Sequence, residues 1–156
     1  MGRIVVGVDD SEGSRRALVW AAEQAAAIDA ELEVIHTYDY APAWRAYAYE
    51  ESVGHPPTAS LQRDLDASAR EAGEHAQRLV DRMVVDLDHT KITTRVLQSS
   101  RPAQTLVEQS DGADLLVVGS RGRGGFAGLL LGSVSQQCVT HASCPVVVVP
   151  PAREES

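Results

Sequence analysis

The stretch DLLVVGSRGRGGFAGLLLGSVS, residues 114–135, decides how the rest of the chain is read. Its opening, Asp114 to Val118, is a continuous apolar run of strand length. A run without polar alternation marks a strand covered on both faces, as in a parallel sheet. From Gly119 to Ser133, six glycines fall in fifteen positions. A helical pattern then runs from Ser133 to Ala142, and Pro145 to Val149 supplies another apolar strand. Strand, glycine-rich loop, helix and strand in this order place the chain among α/β folds.

The same alternation extends toward the N-terminus. Arg3 to Asp9 carries Ile4, Val5, Val6 and Val8 and is closed by Asp9, Asp10 and Ser11. Side chains of these last types accept bonds from the orphan amides of a helix start. The spacing of Leu18, Ala21, Ala22, Ala25 and Ile28 predicts a helix from about Ser14 to Ile28. A strand follows over Glu31 to Tyr38. The steps of three and four in Leu61, Leu65, Ala69, Ala72, Ala76, Leu79, Met83 and Leu87 predict a long helix between the first and last of these. Ile92 to Leu97 reads as a strand, and Pro102 suits the first turn of a short helix ending near Ser110. The order β-α-β-α-β-α-β-α-β implies five parallel strands with helices on both faces, in the common order 3-2-1-4-5. Residues 39–60 interrupt it. Pro42, Gly54, Pro56 and Pro57 mark a long loop there, whose Tyr40, Trp44, Tyr47 and Tyr49 either pack on the body or form a flap.

Composition bounds the function. The 156 residues suit one domain over 1–150 with a polar tail over 151–156. A net charge of -8 leaves no general basic surface, so nucleic acid is not expected as a partner. No apolar run reaches the ~18–20 residues of a membrane span, and the first residues lack a secretory signal. A cytoplasmic location and no membrane partner are expected. The two cysteines, Cys138 and Cys144, make no disulfide framework, and the five histidines show no metal-ligand spacing.

The glycine loop carries the chemistry. Glycine amides approach an anion closely, and a helix beginning at Ser133 adds free amides and a favourable dipole. Between Asp114 and Glu154 there is no Asp or Glu, while Arg121 and Arg123 lie in the loop. A phosphate group suits such a segment. The only lysine, Lys91, is far from the loop, which excludes a P-loop. Gly122-Arg123-Gly124-Gly125-Phe126-Ala127 matches a dinucleotide fingerprint literally, but it follows the fourth strand and no ribose-binding acid comes ~20 residues later. With strand order 3-2-1-4-5, the switch point lies between the first and fourth strands, which end at Asp9 and Gly119. An acid suited to ribose hydroxyls would then face an anion loop across one crevice. Asp9 is taken for the ligand, and Asp10 or Ser11 for the helix cap.

Gly119-x2-Gly122-x9-Gly132-Ser133 resembles the ATP-binding signature of the universal stress protein family. Val8-Asp9, Val117-Val118-Gly119-Ser120 and Cys144-Pro145-Val146-Val147-Val148-Val149 extend the resemblance over nearly the whole chain. The resemblance implies an adenine nucleotide α-hydrolase-like fold and a regulatory module in stress adaptation that binds ATP, with Mg²⁺, and acts on an unknown protein partner. It implies that Asp9, beside Val8, contacts ribose, that Thr37 and Val118 line the base pocket, and that Gly119, Gly122, Gly132, Ser133 and Ser135 hold phosphates. Arg121 and Val134 complete the candidate set. It also implies a homodimer through Val146–Val149. A slow ATP hydrolase or phosphoryl or adenylyl transferase, and a protein-interaction module without nucleotide, are the rival readings.

Overall fold

The structure is a computed structural model that describes residues 2–40, 48–55, 58–87, 91–122 and 130–153. Its strands are β1 (Arg3–Val8), β2 (Glu31–Tyr38), β3 (Lys91–Gln98), β4 (Leu115–Gly119) and β5 (Val146–Val149). The helices between them are α1 (Glu12–Ala27), α2 (Ala59–Val84), α3 (Pro102–Gln109) and α4 (Ser133–His141). All strand pairs are parallel, in the order β3-β2-β1-β4-β5. This is the expected topology, and it puts the ends of β1 and β4 side by side.

Alternation along each strand divides the core in two. Ile4, Val6, Val8, Leu32, Val34 and Val117 meet α1 and α2. Val5, Ile35, Leu116 and Val118 meet Leu106 of α3 and Cys138 of α4. Ala17, Ala21, Ala22 and Ala25 are buried on α1, so that helix lies close to the sheet. Ser11 caps α1, its hydroxyl accepting from the Ser14 amide at 3.2 Å. Thr58 caps α2 in the same way through the Leu61 amide. That cap starts α2 two residues before the apolar pattern does.

Residues 39–60 are not wholly loop. Residues 48–52 are helical, and the last two residues of the segment belong to α2. Tyr49 is 69% exposed and does not pack on the body. Tyr40 is half-buried. The readings of Trp44 and Tyr47 lie outside the described residues.

Among the described residues, one buried position carries a charge. Glu33, in the middle of β2, is buried on the α3 side. Its carboxylate accepts from Arg3 Nη1 at 2.7 Å and Arg95 Nη1 at 2.9 Å. Arg95 also donates to Gln109 Oε1 at 2.6 Å. Buried charge persists only when paired and hydrogen-bonded, and the two neighbouring strands supply both partners here.

Candidate functional site

A cleft of about 1080 Å³ opens at the carboxyl ends of the strands. It straddles the sheet edge. Gly7, Ile35, Thr37 and Val118 line it with Pro102 and Leu106 of α3, while Val8 and His36 line it with Ala72, His75 and Leu79 of α2. Asp9, Gly119, Arg121 and Gly122 join them, and the start of α4 contributes Gly132, Ser133, Val134 and Ser135. The candidate residues read from the sequence therefore share one cavity.

Asp9 sits where β1 turns into α1. One carboxylate oxygen accepts from the Ser11 amide at 2.8 Å. The other faces the loop across the cleft: a Cβ built on Gly122 would lie 2.6 Å from Asp9 Oδ2. Asp10 takes a different part, 3.2 Å from Arg15 Nη2. Ser11 rather than Asp10 is the helix cap.

The loop glycines are not equivalent. A Cβ on Gly119 would lie 2.8 Å from the backbone carbon of Gly13, so the packing of β4 against the first turn of α1 requires this glycine. Gly13 in turn has no room for a side chain, since its Cβ would lie 2.5 Å from the Arg121 carbonyl. Gly132 meets no such limit: the nearest atom to its Cβ would be Ser120 O at 3.4 Å. Its φ of -73° is also open to any residue. Packing accounts for Gly119 and leaves Gly132 without a demand from the protein itself.

Gly132 is the N-cap of α4, and no side chain caps that helix. First-turn amides without a side-chain acceptor, at the positive end of the macrodipole, form an anion-binding arrangement. Ser133 is exposed in that first turn. Ser135 is buried, and its hydroxyl is 3.0 Å from both the Ser120 and the Gly132 carbonyls. A hydroxyl has one proton to donate, so Ser135 serves one of these carbonyls at a time, and the two ends of the loop are joined directly by the Gly132 amide donating to the Ser120 carbonyl at 2.6 Å. No carboxylate lies between Asp114 and Glu154, which leaves the Arg121 side of the cleft free of acidic side chains from that segment.

The universal stress protein family model matches residues 1–150. The chain belongs to this family. A universal stress protein of Mycolicibacterium smegmatis is 36% identical over 149 residues, which are 94% of this chain and 47% of that protein. The chain thus spans about half the length of that relative. Universal stress protein MJ0531 of Methanocaldococcus jannaschii is 32% identical over 155 residues, covering 98% of this chain and 84% of that one. Among solved structures, a universal stress protein in complex with cAMP is similar with a TM-score of 0.56 and 31% identity, covering 95% of each chain.

Sequence reasoning missed several members of the universal stress protein cleft. His36 adjoins Thr37 but points to the other face of the sheet, the face of α2. Its ring Nδ1 lies 2.8 Å from the Val8 carbonyl. Glu71, His75 and Leu79 reach the cleft from α2, and no local pattern could place that helix over the strand ends. Gly13 carried a usable signal, because glycine inside a helix costs about 1 kcal/mol relative to alanine and marks a close approach. Among the described residues no group of three or more His, Cys, Asp or Glu could hold a metal ion, and no helix is long and apolar enough to cross a membrane.

Proposed function

We propose that the cleft binds an adenine nucleotide, ATP in the first instance, and that the chain is a nucleotide-dependent regulatory module in stress adaptation. The observation that carries this reading is the placement of the Asp9 carboxylate opposite Gly122 and the uncapped start of α4. A carboxylate accepts hydrogen bonds from paired hydroxyls, as ribose presents, and amides at a helix start donate to phosphate. In this proposal Asp9, next to Val8, takes the ribose, and Thr37 and Val118 bound the base. Gly122 and the amides of Ser133, Val134 and Ser135 hold phosphate oxygens, with Arg121 adding positive charge. The Gly132 amide already donates to the Ser120 carbonyl at 2.6 Å, so Gly132 leaves room for the phosphate rather than donating to it. Gly119 serves by keeping the loop against α1. Mg²⁺ usually keeps waters and phosphate oxygens as most of its ligands, so it would arrive on the phosphates. The similar structure with cAMP supports the adenine part of the reading.

The rest of the reading concerns the whole chain. Residues 1–150 act as one cytoplasmic unit that changes its loop, and so its protein partner, with nucleotide state. Val146–Val149 form an outer strand of the sheet, and three of these four valines are only half-buried. Pairing with a second copy would cover an apolar edge that otherwise invites aggregation.

The test is a calorimetric titration of ATP, ADP and cAMP, with and without Mg²⁺, into the wild type and D9N. Loss of a charged acceptor costs about 1.5–3 kcal/mol, so D9N should bind about ten- to a hundredfold more weakly. Equal affinity in the two proteins would reject Asp9 as the ribose acceptor. Light scattering of the wild type checks the dimer, which a monomeric mass would contradict.

A further inference from the structure

We infer that His36 is a positioning residue for Asp9, acting through the backbone of Val8. The inference rests on the nucleotide reading and deepens it. The register between β1 and β4 stops at Val6↔Val117, whereas the register between β1 and β2 continues to Val8↔His36. The last residues of β1 are thus aligned from the β2 side as the strand turns into the cleft. There the His36 ring Nδ1 lies 2.8 Å from the Val8 carbonyl. A carbonyl only accepts, so Nδ1 carries the proton and donates it.

The Val8 carbonyl and the Asp9 amide belong to one planar peptide unit. Its other end is also held, because the Asp9 N–H donates to Ser14 Oγ at 3.1 Å. Ser14 is buried, and its hydroxyl is 2.6 Å from the Asp9 carbonyl. The peptide plane before Asp9 is therefore clamped from β2 by His36 and from α1 by Ser14. That plane sets the φ of Asp9 and with it the direction in which the side chain leaves the backbone. A binding group has to be held within ~0.5 Å and ~10–20° of its productive geometry. His36 supplies this without touching the ribose.

The experiment compares ATP affinity in the wild type, H36L, H36N, D9N and the double variant H36L/D9N, with thermal unfolding of each. Asparagine keeps an N–H donor close to the position of Nδ1, and leucine keeps only bulk. Loss of the donor to this partly buried carbonyl should weaken binding about tenfold in H36L. H36N should stay within about threefold of wild type, and H36L should add no more than about twofold to the loss already present in D9N. Wild-type affinity in a folded H36L, a loss in H36N equal to that in H36L, or losses that multiply in full in the double variant would each overturn the inference alone. A wild type that binds no adenine nucleotide would remove the nucleotide reading and this inference together.

Discussion

Asp9 and Gly122 meet across the cleft at a distance that leaves no room for a single methyl group. G122A puts that methyl 2.6 Å from Asp9 Oδ2. The carboxylate oxygen is the end of a side chain, so it can yield without unfolding the protein, and the change falls on the site. G122A should weaken ATP binding about tenfold or more, since small displacements of a binding group are costly, while its melting temperature stays close to wild type. Calorimetry and thermal denaturation check both halves; unchanged affinity would contradict the pairing. G13A is the contrasting case. Alanine favours a helix by about 1 kcal/mol over glycine, but here its Cβ would lie 2.5 Å from the Arg121 carbonyl, a backbone atom that cannot swing aside. The clash wins. G13A should lower the melting temperature and weaken binding together; a more stable G13A would show that the loop does not rest on α1. In the sequence the glycines of the loop look alike. Packing separates them, assigning Gly119 to the contact with Gly13 and Gly122 to Asp9, and that contact joins segments about a hundred residues apart in the chain.

At the scale of elements, the apolar runs were legible because a strand covered on both faces has almost no room for polar residues. Glu33 is the exception that pattern reading passes over. Its burial depends on Arg3 and Arg95, which reach it from the two neighbouring strands. E33A leaves two guanidinium groups without their shared acceptor and should cost about 2–3 kcal/mol in chemical denaturation. R95A should cost about 1 kcal/mol or less, because its side chain is 40% exposed and Arg3 still pairs with Glu33. Equal losses in the two variants would contradict this ranking. Cys138 on α4 is fully buried, and burial first, then the nearby Cys144, push its thiol up to about 11 from 9.0. The unfolded chain ionises the thiol first as pH rises. The stability this group adds is intact below pH 9.0 and is lost as pH climbs toward about 11. Melting temperature should fall more steeply over that range in the wild type than in C138A, and parallel curves would contradict the assignment. The role of α2 at the cleft was not legible at all. Its period shows which face turns inward, and only the fold shows that Glu71, His75 and Leu79 lie over the ends of the strands.

For the whole molecule, alternation of strand and helix called for a parallel sheet covered on both faces, and the common order for five such strands is the one the structure has. That order sets the end of β1 against the end of β4 and so makes one site from Asp9, Gly119, Arg121, Gly122 and residues 132–135. The absence of acids from residues 115–153 in a chain of net charge -8 then reads as a property of one side of that site, the side that faces Asp9. In the proposed function this junction holds an adenine nucleotide with its ribose on Asp9 and its phosphates over the start of α4. A crystal structure of the protein grown with ATP and Mg²⁺ tests it most directly. Ribose hydroxyls should be hydrogen-bonded to the Asp9 carboxylate, and phosphate oxygens should lie on the amides of Ser133 to Ser135. A nucleotide lodged instead between β2 and α2, with the glycine loop bare and Asp9 untouched, would contradict it.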